Sequence, residues 1–391
     1  MVTILLVRWG RKPVMLASGP IVLTSWIIAI TTRSISALYI VRIIQGIALA
    51  IPYTVTPMYL AEIAEPKLRG QLGSYFQVFF YLGSLFSYSI GPYFSYDLYL
   101  YLACIPAVLF IVLFSFVPES PYYLLMIGND NDARKSLCWL RANQDINDEF
   151  NEIKEGVIED LKLKSNWKDL IATRKDRFAL FIVELVCFIR YTNGITCISV
   201  YITQTFNEGN VSNETSDLLT IILAIVLIIT TICASFVADS FGRRPLMIIS
   251  TIGATIFNII SAIYFYIDKY SLIDCKPYQW ISYCSIIGVC IISNIGLGPL
   301  MMTIQAEYFP SHTRAKGGAI TCLFTAIACF ISLKQYQFID DNFGMYMNYV
   351  IFAIISLIGS IVLWLYLHET AGKTLGQIQK SLAVENKMSG N

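Results

Sequence analysis

An all-α membrane protein built from two related halves is the fold class this sequence predicts, and three observations predict it. Hydrophobic residues make up 56% of the 391-residue chain and charged residues only 14%, against about 25% charged in ordinary soluble domains. The apolar residues fall in ten runs, about 14–32, 36–61, 71–94, 99–117, 178–206, 217–239, 245–267, 280–309, 317–339 and 346–367. A run of about 20 such residues is long enough to cross a bilayer as a helix. Finally, a charged turn between two of these runs has an echo near the N-terminus.

That turn is Asp239-Ser-Phe-Gly242-Arg243-Arg244-Pro245. Gly242 can take a backbone conformation closed to other residues. Pro245 suits the first turn of the next helix, where its missing N–H costs nothing. Taken alone it is a tight charged turn and no more. Gly10-Arg11-Lys12-Pro13 repeats it, and the repeat continues in order. Glu62, Arg69 and Pro118-Glu119-Ser120 follow the first copy; Glu307, Arg314 and His368-Glu369-Thr370 follow the second. Glu62 and Arg69 are seven residues apart, as are Glu307 and Arg314. Matching features in matching order imply a duplicated membrane half, and parallel repeats of this kind build transporters with the site between the halves.

Residues 1–8 form an apolar stub too short to span or to act as a signal peptide. By symmetry with the second half, two spans are expected before the first turn, so the chain is expected to lack a first helix and most of a second. Lys and Arg set the orientation. Arg8, Arg11, Lys12, Lys67, Arg69, ten residues between Arg134 and Arg177, Arg243, Arg244, Arg314, Lys316, Lys373, Lys380 and Lys387 are assigned to one side, and only Arg33, Lys269 and Lys276 to the other. The rich side is cytoplasmic by the positive-inside rule, which places the C-terminus inside. The glycosylation sequences at Asn210 and Asn213 fall in a loop assigned outside, where such sites can be used. Residues 118–177 carry dense mixed charge with a helical scatter of Leu, Ile and Val, read as short amphipathic helices on the cytoplasmic face. The expected domains are therefore 1–117, an incomplete helical bundle; 118–177, the cytoplasmic linker; 178–367, a six-helix bundle; and 368–391, a cytoplasmic tail. Net charge near +1 gives no sign of a nucleic-acid partner. Eight of ten cysteines lie in apolar runs, where packing as small apolar groups is the ordinary role. Cys275 alone is expected to be extracellular. His312 and His368 support neither a metal site nor a nucleophile–base pair, so no enzyme, metal or cofactor is expected.

The chain resembles the sugar porters of the major facilitator superfamily, and most closely the insect facilitated trehalose and glucose transporter group. The resemblance rests on Gly10-Arg-Lys-Pro13, Arg42-Ile-Ile-Gln-Gly46, Pro57-Met-Tyr59-Leu-Ala-Glu62, Arg69-Gly-Gln-Leu-Gly-Ser74, Pro118-Glu-Ser-Pro121, Asp239 to Pro245, Gly298-Pro299, Glu307-Tyr-Phe-Pro310 and Glu369-Thr-Ala-Gly-Lys-Thr-Leu375. It implies the two-bundle architecture with about 10 of twelve helices present, and a multi-pass cell-membrane carrier that moves trehalose, glucose or a related sugar by alternating access. It also implies that Arg11, Glu62, Arg69, Glu119, Asp239, Arg243, Glu307, Arg314 and Glu369 meet at cytoplasmic helix ends as a gating latch; Val7 departs from the family's usual Asp. Gly298-Pro299 is expected to break its span as a gating bend.

At the substrate positions the likeness thins. Gln77 matches a family glutamine, since a planar amide both donates to and accepts from hydroxyls. Tyr201 matches a family tyrosine expected to close the external side. The seventh family helix here reads Arg190-Tyr191-Thr192-Asn193-Gly194-Ile195-Thr196, with both usual glutamines and the asparagine replaced. Arg190, Tyr191, Thr196, Asn294 and Met302 complete the candidate set. Arg190 stands inside an apolar run, and Glu184, six residues away, points elsewhere around a helix. It therefore requires an acid from another helix or an anionic group on the solute. Two other classes stay open: a carrier for another small solute, such as an anionic glycoside, and a non-transporting sensor or defective duplicate. Besides the solute, the expected partner is the lipid bilayer.

Overall fold

The computed structural model describes residues 2–65, 69–142, 146–162, 167–208, 212–271, 275–309 and 311–370. In hydrocarbon, backbone N–H and C=O groups must be satisfied within the chain, and a helix does this segment by segment. The described residues accordingly fold as helices: α1 (Val2–Trp9), α2 (Arg11–Thr31), α3 (Ile35–Ile63), α4 (Arg69–Ile90), α5 (Tyr96–Ser115), α6 (Pro121–Met126), α7 (Asp130–Leu140), α8 (Asn147–Lys162), α9 (Arg174–Thr192), α10 (Ile195–Glu208), α11 (Asn213–Phe241), α12 (Arg243–Lys269), α13 (Gln279–Tyr308), α14 (Ser311–Phe343) and α15 (Met345–Tyr366).

Six starts among the described residues are set locally by side-chain caps. Ser34, Ser95, Ser120, Asn129 and Ser212 cap α3, α5, α6, α7 and α11 through their side chains, and Thr173 with Asp176 forms a capping box on α9. Such caps satisfy N–H groups that have no partner inside the helix. Three helices, α2, α12 and α15, follow Gly10, Gly242 and Gly344, which offer no side chain to cap with.

Among the described residues, nine segments are long and apolar enough to span a bilayer. The tenth expected span, α4, is a helix of 22 residues. It falls short in apolarity because Gln71, Ser74, Gln77, Ser84, Ser87 and Ser89 interrupt it. The run at 178–206 is two helices, α9 and α10, parted at Asn193-Gly194, where Gly194 has φ +104°. The expected break at Gly298-Pro299 is absent: α13 runs without interruption from Gln279 to Tyr308. Proline removes one helical hydrogen bond, and a well-packed membrane helix tolerates that loss. Cys275 is buried beside a short 3-10 turn, and all ten cysteines are free.

Contacts divide the chain into two compact units. The first comprises residues 1–72, 90–172 and 309–322. In it α2 packs on α3 and α5, and Leu125, Ala133, Leu137, Ile146, Phe150 and Val157 form a separate core joining α6, α7 and α8. The second comprises 73–89, 173–308 and 323–391. There α12 lies against α13 and α15, and α11 against α13. The close approach of α12 to α13 needs small residues: a Cβ on Gly253 would stand 2.4 Å from Ile292, and one on Gly296 would stand 2.5 Å from the Leu246 carbonyl. Small side chains let membrane helices approach in this way. Polar side chains join the apolar ones in the core, and many large apolar side chains are exposed. Ser25, Thr231, Asn258 and Asn294 are fully buried, while Ile35, Phe79 and Leu113 face outward.

Candidate functional site

The missing caps of α2 and α12 lead to the site. Arg11 and Lys12 supply the first free N–H groups of α2. Both donate to the carboxylate of Glu119, Arg11 N to Oε1 at 3.1 Å and Lys12 N to Oε2 at 3.1 Å. The Ser120 N–H donates to the same carboxylate at 2.8 Å. A carboxylate from more than a hundred residues away thus replaces the local cap, and its charge complements the positive end of the helix dipole. Gly10 is required on two counts. Its φ is +95°, and a Cβ there would lie 2.3 Å from Glu119 Oε2. The Arg11 side chain then grips Glu62 in a fork, Nη2 to Oε1 at 2.8 Å and Nε to Oε2 at 3.0 Å. Ser120 Oγ also donates to Glu62, and the guanidinium lies 4.9 Å from the Tyr123 ring centroid. Tyr59 OH donates to the Pro118 carbonyl at 2.6 Å.

The second unit builds the same arrangement from its own residues. Arg243 N and Arg244 N donate to Glu369 Oε1 and Oε2 at 3.0 and 3.2 Å, and Thr370 N donates to Oε1 at 2.9 Å. Gly242 has φ +87°, and a Cβ on it would lie 2.6 Å from Glu369 Oε2. The Arg243 guanidinium pairs with Glu307 and donates to Thr370 Oγ1 at 3.4 Å. Tyr308 OH accepts from the His368 N–H at 3.2 Å. Each described pair joins helices of a single unit. Both clasps are mostly buried, with side-chain exposures of 5% and 10% for Arg11 and Glu62 and 14% for each of Arg243 and Glu307. Removing one partner of such a pair costs roughly 3–5 kcal/mol when burial is complete. Burial raises the pKa of Glu119, and that effect outweighs the opposing N–H donors of Ser120, Lys12 and Arg11 and the Arg11 charge.

Of the nine residues expected to meet, the structure brings together Arg11, Glu62 and Glu119 in one cluster, and Arg243, Glu307 and Glu369 in the other. Arg314 stands half-buried near the start of α14, within the first unit. The side chains of Arg69 and Asp239 lie outside the described residues, as do Val7's side chain, Asn210 and the side chain of Asn213. Sequence reasoning gave no role to Tyr123, nor to Tyr59 and Tyr308, which stand inside the quoted motifs; that position was the available signal.

The substrate candidates lie in the second unit. Asn294 is fully buried and committed: Nδ2 donates to the Leu227 carbonyl at 3.1 Å and to Thr231 Oγ1 at 2.6 Å, while Oδ1 accepts from Tyr81 OH at 2.9 Å. It clasps α4, α11 and α13, with no amide hydrogen left for a solute. Tyr201 interrupts the helical dihedrals of α10 and stacks on Tyr336 at 5.0 Å. Asn193 closes the α9–α10 break: its Oδ1 accepts from Ile195 N at 3.2 Å and its Nδ2 donates to Ser293 Oγ at 3.1 Å. Gln77, Thr196 and Met302 are half-buried.

Arg190 stands at the midpoint of the span Arg174–Phe206 and is 8% exposed. Among the described residues Arg190 forms no ion pair, and its Nη1 has no hydrogen-bond partner. The Tyr191 ring centroid, 5.6 Å from its Cζ, is the polarisable surface beside it. An arginine at such depth costs about 2.5–3.5 kcal/mol on insertion scales.

A family model described as "Sugar (and other) transporter" matches residues 1–382. The facilitated trehalose transporter Tret1 of Apis mellifera ligustica is 28% identical over 377 residues, covering 96% of this chain and 74% of that protein. Sugar transporter ERD6-like 6 of Arabidopsis thaliana is 27% identical over 376 residues, covering 95% and 76%. Among solved structures, the major facilitator proton:xylose symporter XylE bound to 6-bromo-6-deoxy-D-glucose superposes with a TM-score of 0.81 at 23% identity, covering 97% of this chain and 85% of that one.

Proposed function

The chain belongs to the Sugar (and other) transporter family, and from that premise we propose that it moves trehalose, glucose or a related sugar by facilitated diffusion. It is a multi-pass transmembrane sugar carrier of the alternating-access type and not an enzyme. The observation that carries the reading is the duplicated clasp. In alternating access, repeats rock largely as rigid bodies. A clasp that ties remote helix ends within one unit keeps that unit rigid while it moves. Glu62, Glu119 and Arg11 serve one half in this way, Glu307, Glu369 and Arg243 the other, with Arg69, Asp239 and Arg314 as further members.

Gln77, Thr196, Tyr191 and Met302 are the proposed solute contacts, with Tyr201 as an external closure. Gln77 and Thr196 make no side-chain hydrogen bond among the described residues, so their polar atoms are open to hydroxyls. Asn294 acts as a helix clasp beneath them. The division into 1–117, 118–177, 178–367 and 368–391 stands as the proposed domain plan. The charge bias supports a cell-membrane topology with the clasps and the C-terminus in the cytoplasm and the Asn210 and Asn213 sites outside. Uptake of labelled trehalose and glucose into proteoliposomes tests the function. Saturable uptake that survives collapse of the proton gradient is expected. Uptake no faster than in protein-free vesicles would overturn it.

A further inference from the structure

Arg190 is a buried cation with no ion pair among the described residues. It lies at the middle of a membrane span, more than nine-tenths buried. Its guanidinium is not turned to lipid: it lies within electrostatic reach of the thiols of Cys187 on α9, Cys290 on α13 and Cys329 on α14. Those thiols carry no balancing charge, and Glu184, whose charge also reaches Cys187, lies six residues back on α9 and points elsewhere around that helix. Two residues further on, α9 stops at Thr192, and α10 begins at Ile195. A membrane helix broken at mid-depth presents the positive end of its second half there, and transporters use such ends against anionic groups on solutes. A fixed guanidinium and a helix N-terminus stand within five residues of each other, and both favour negative charge.

Resting on the sugar-carrier reading above, we propose that Arg190 is the specificity residue for a carboxylate on the solute, so that this carrier prefers a monoanionic sugar acid to the neutral sugar. The planar fork of arginine matches a carboxylate with two parallel hydrogen bonds. A single cation balances a single negative charge, which favours a uronic acid over a sugar phosphate. Thr196, in the first turn of α10, supplies an open hydroxyl on the same broken segment.

The test uses the purified full chain, with D-glucuronate and D-glucose as probes, in wild type, Arg190→Gln and Arg190→Lys. Wild type is expected to bind glucuronate about tenfold more tightly than glucose, about 1.4 kcal/mol. Arg190→Gln is expected to bring that ratio to about one, and Arg190→Lys to retain part of it. Without ligand, Arg190→Gln is expected to melt no lower than wild type, because it removes an unbalanced charge. Equal binding of the two sugars by wild type, or an unchanged ratio in Arg190→Gln, overturns the proposal. So does a lower melting temperature for Arg190→Gln, which would show that an internal partner holds the arginine. Failure of trehalose and glucose uptake while glucuronate binding persists would count against the neutral-sugar reading alone.

Discussion

At the scale of single residues, the two glutamates at the starts of α2 and α12 carry the most physics. Glu119 accepts three backbone N–H groups, yet burial holds its pKa above the ordinary value of 4.5. The folded chain therefore holds that proton more tightly than the unfolded chain does. The stability linked to it is fully present below pH 4.5 and is lost as pH rises through the raised folded value. Glu119→Gln removes the titration. The melting temperature of wild type relative to Glu119→Gln is expected to fall on going from acidic to neutral pH. A difference that moves in wild type's favour over that range would contradict the assignment. The motif made Glu119 and Glu369 visible in the sequence as charges closing apolar runs. That they cap a distant helix was not, because the partner N–H groups lie 108 and 126 residues away.

At the scale of elements, α13 shows how packing decides what a local motif does. Gly298-Pro299 reads as a break, and the helix continues through it. One turn earlier Asn294 ties the helix to α4 and α11 through Tyr81, Leu227 and Thr231. Asn294→Leu keeps the volume similar and leaves the buried Tyr81 hydroxyl and Leu227 carbonyl without this partner. The Leu227 carbonyl keeps the Thr231 hydroxyl as a donor at 2.7 Å, and each buried hydrogen bond lost costs about 0.5–1.5 kcal/mol. A lower melting temperature in detergent is expected, with the monodisperse fold retained. An unchanged melting temperature would show that the amide is replaceable, and would return Asn294 to the candidates for solute contact. The opposite outcome holds at 178–206, which reads as one span. Gly194 at φ +104° and the Asn193 side chain part it into α9 and α10.

For the whole molecule, duplication is the organising fact, and it makes the clasps testable as units of transport. Arg243→Ala is expected to slow sugar uptake while leaving protein abundance mostly intact, and Glu307→Ala likewise. Because the two side chains act on each other, the double variant is expected to be no slower than the worse single one, the non-additivity of a shared interaction. Abundance that collapses in the single variants would make these residues anchors of the fold, and fully additive effects on rate would remove the clasp from the transport cycle.

The sequence by itself determined the membrane class, most of the helices, the charged turns and the repetition of the charged motifs. Those follow from local physics: hydrocarbon forces apolar runs into helices, glycine permits the tight turn, and a repeated motif is legible wherever it stands. Only the tertiary structure decided which glutamate caps which helix, that the Asn294 amide is already spent, that Gly298-Pro299 leaves α13 continuous, and that Arg190 forms no ion pair among the described residues. Each of these depends on groups brought together from distant parts of the chain. Whether a polar side chain is satisfied is a property of its three-dimensional neighbourhood, and residue spacing along a chain does not encode it.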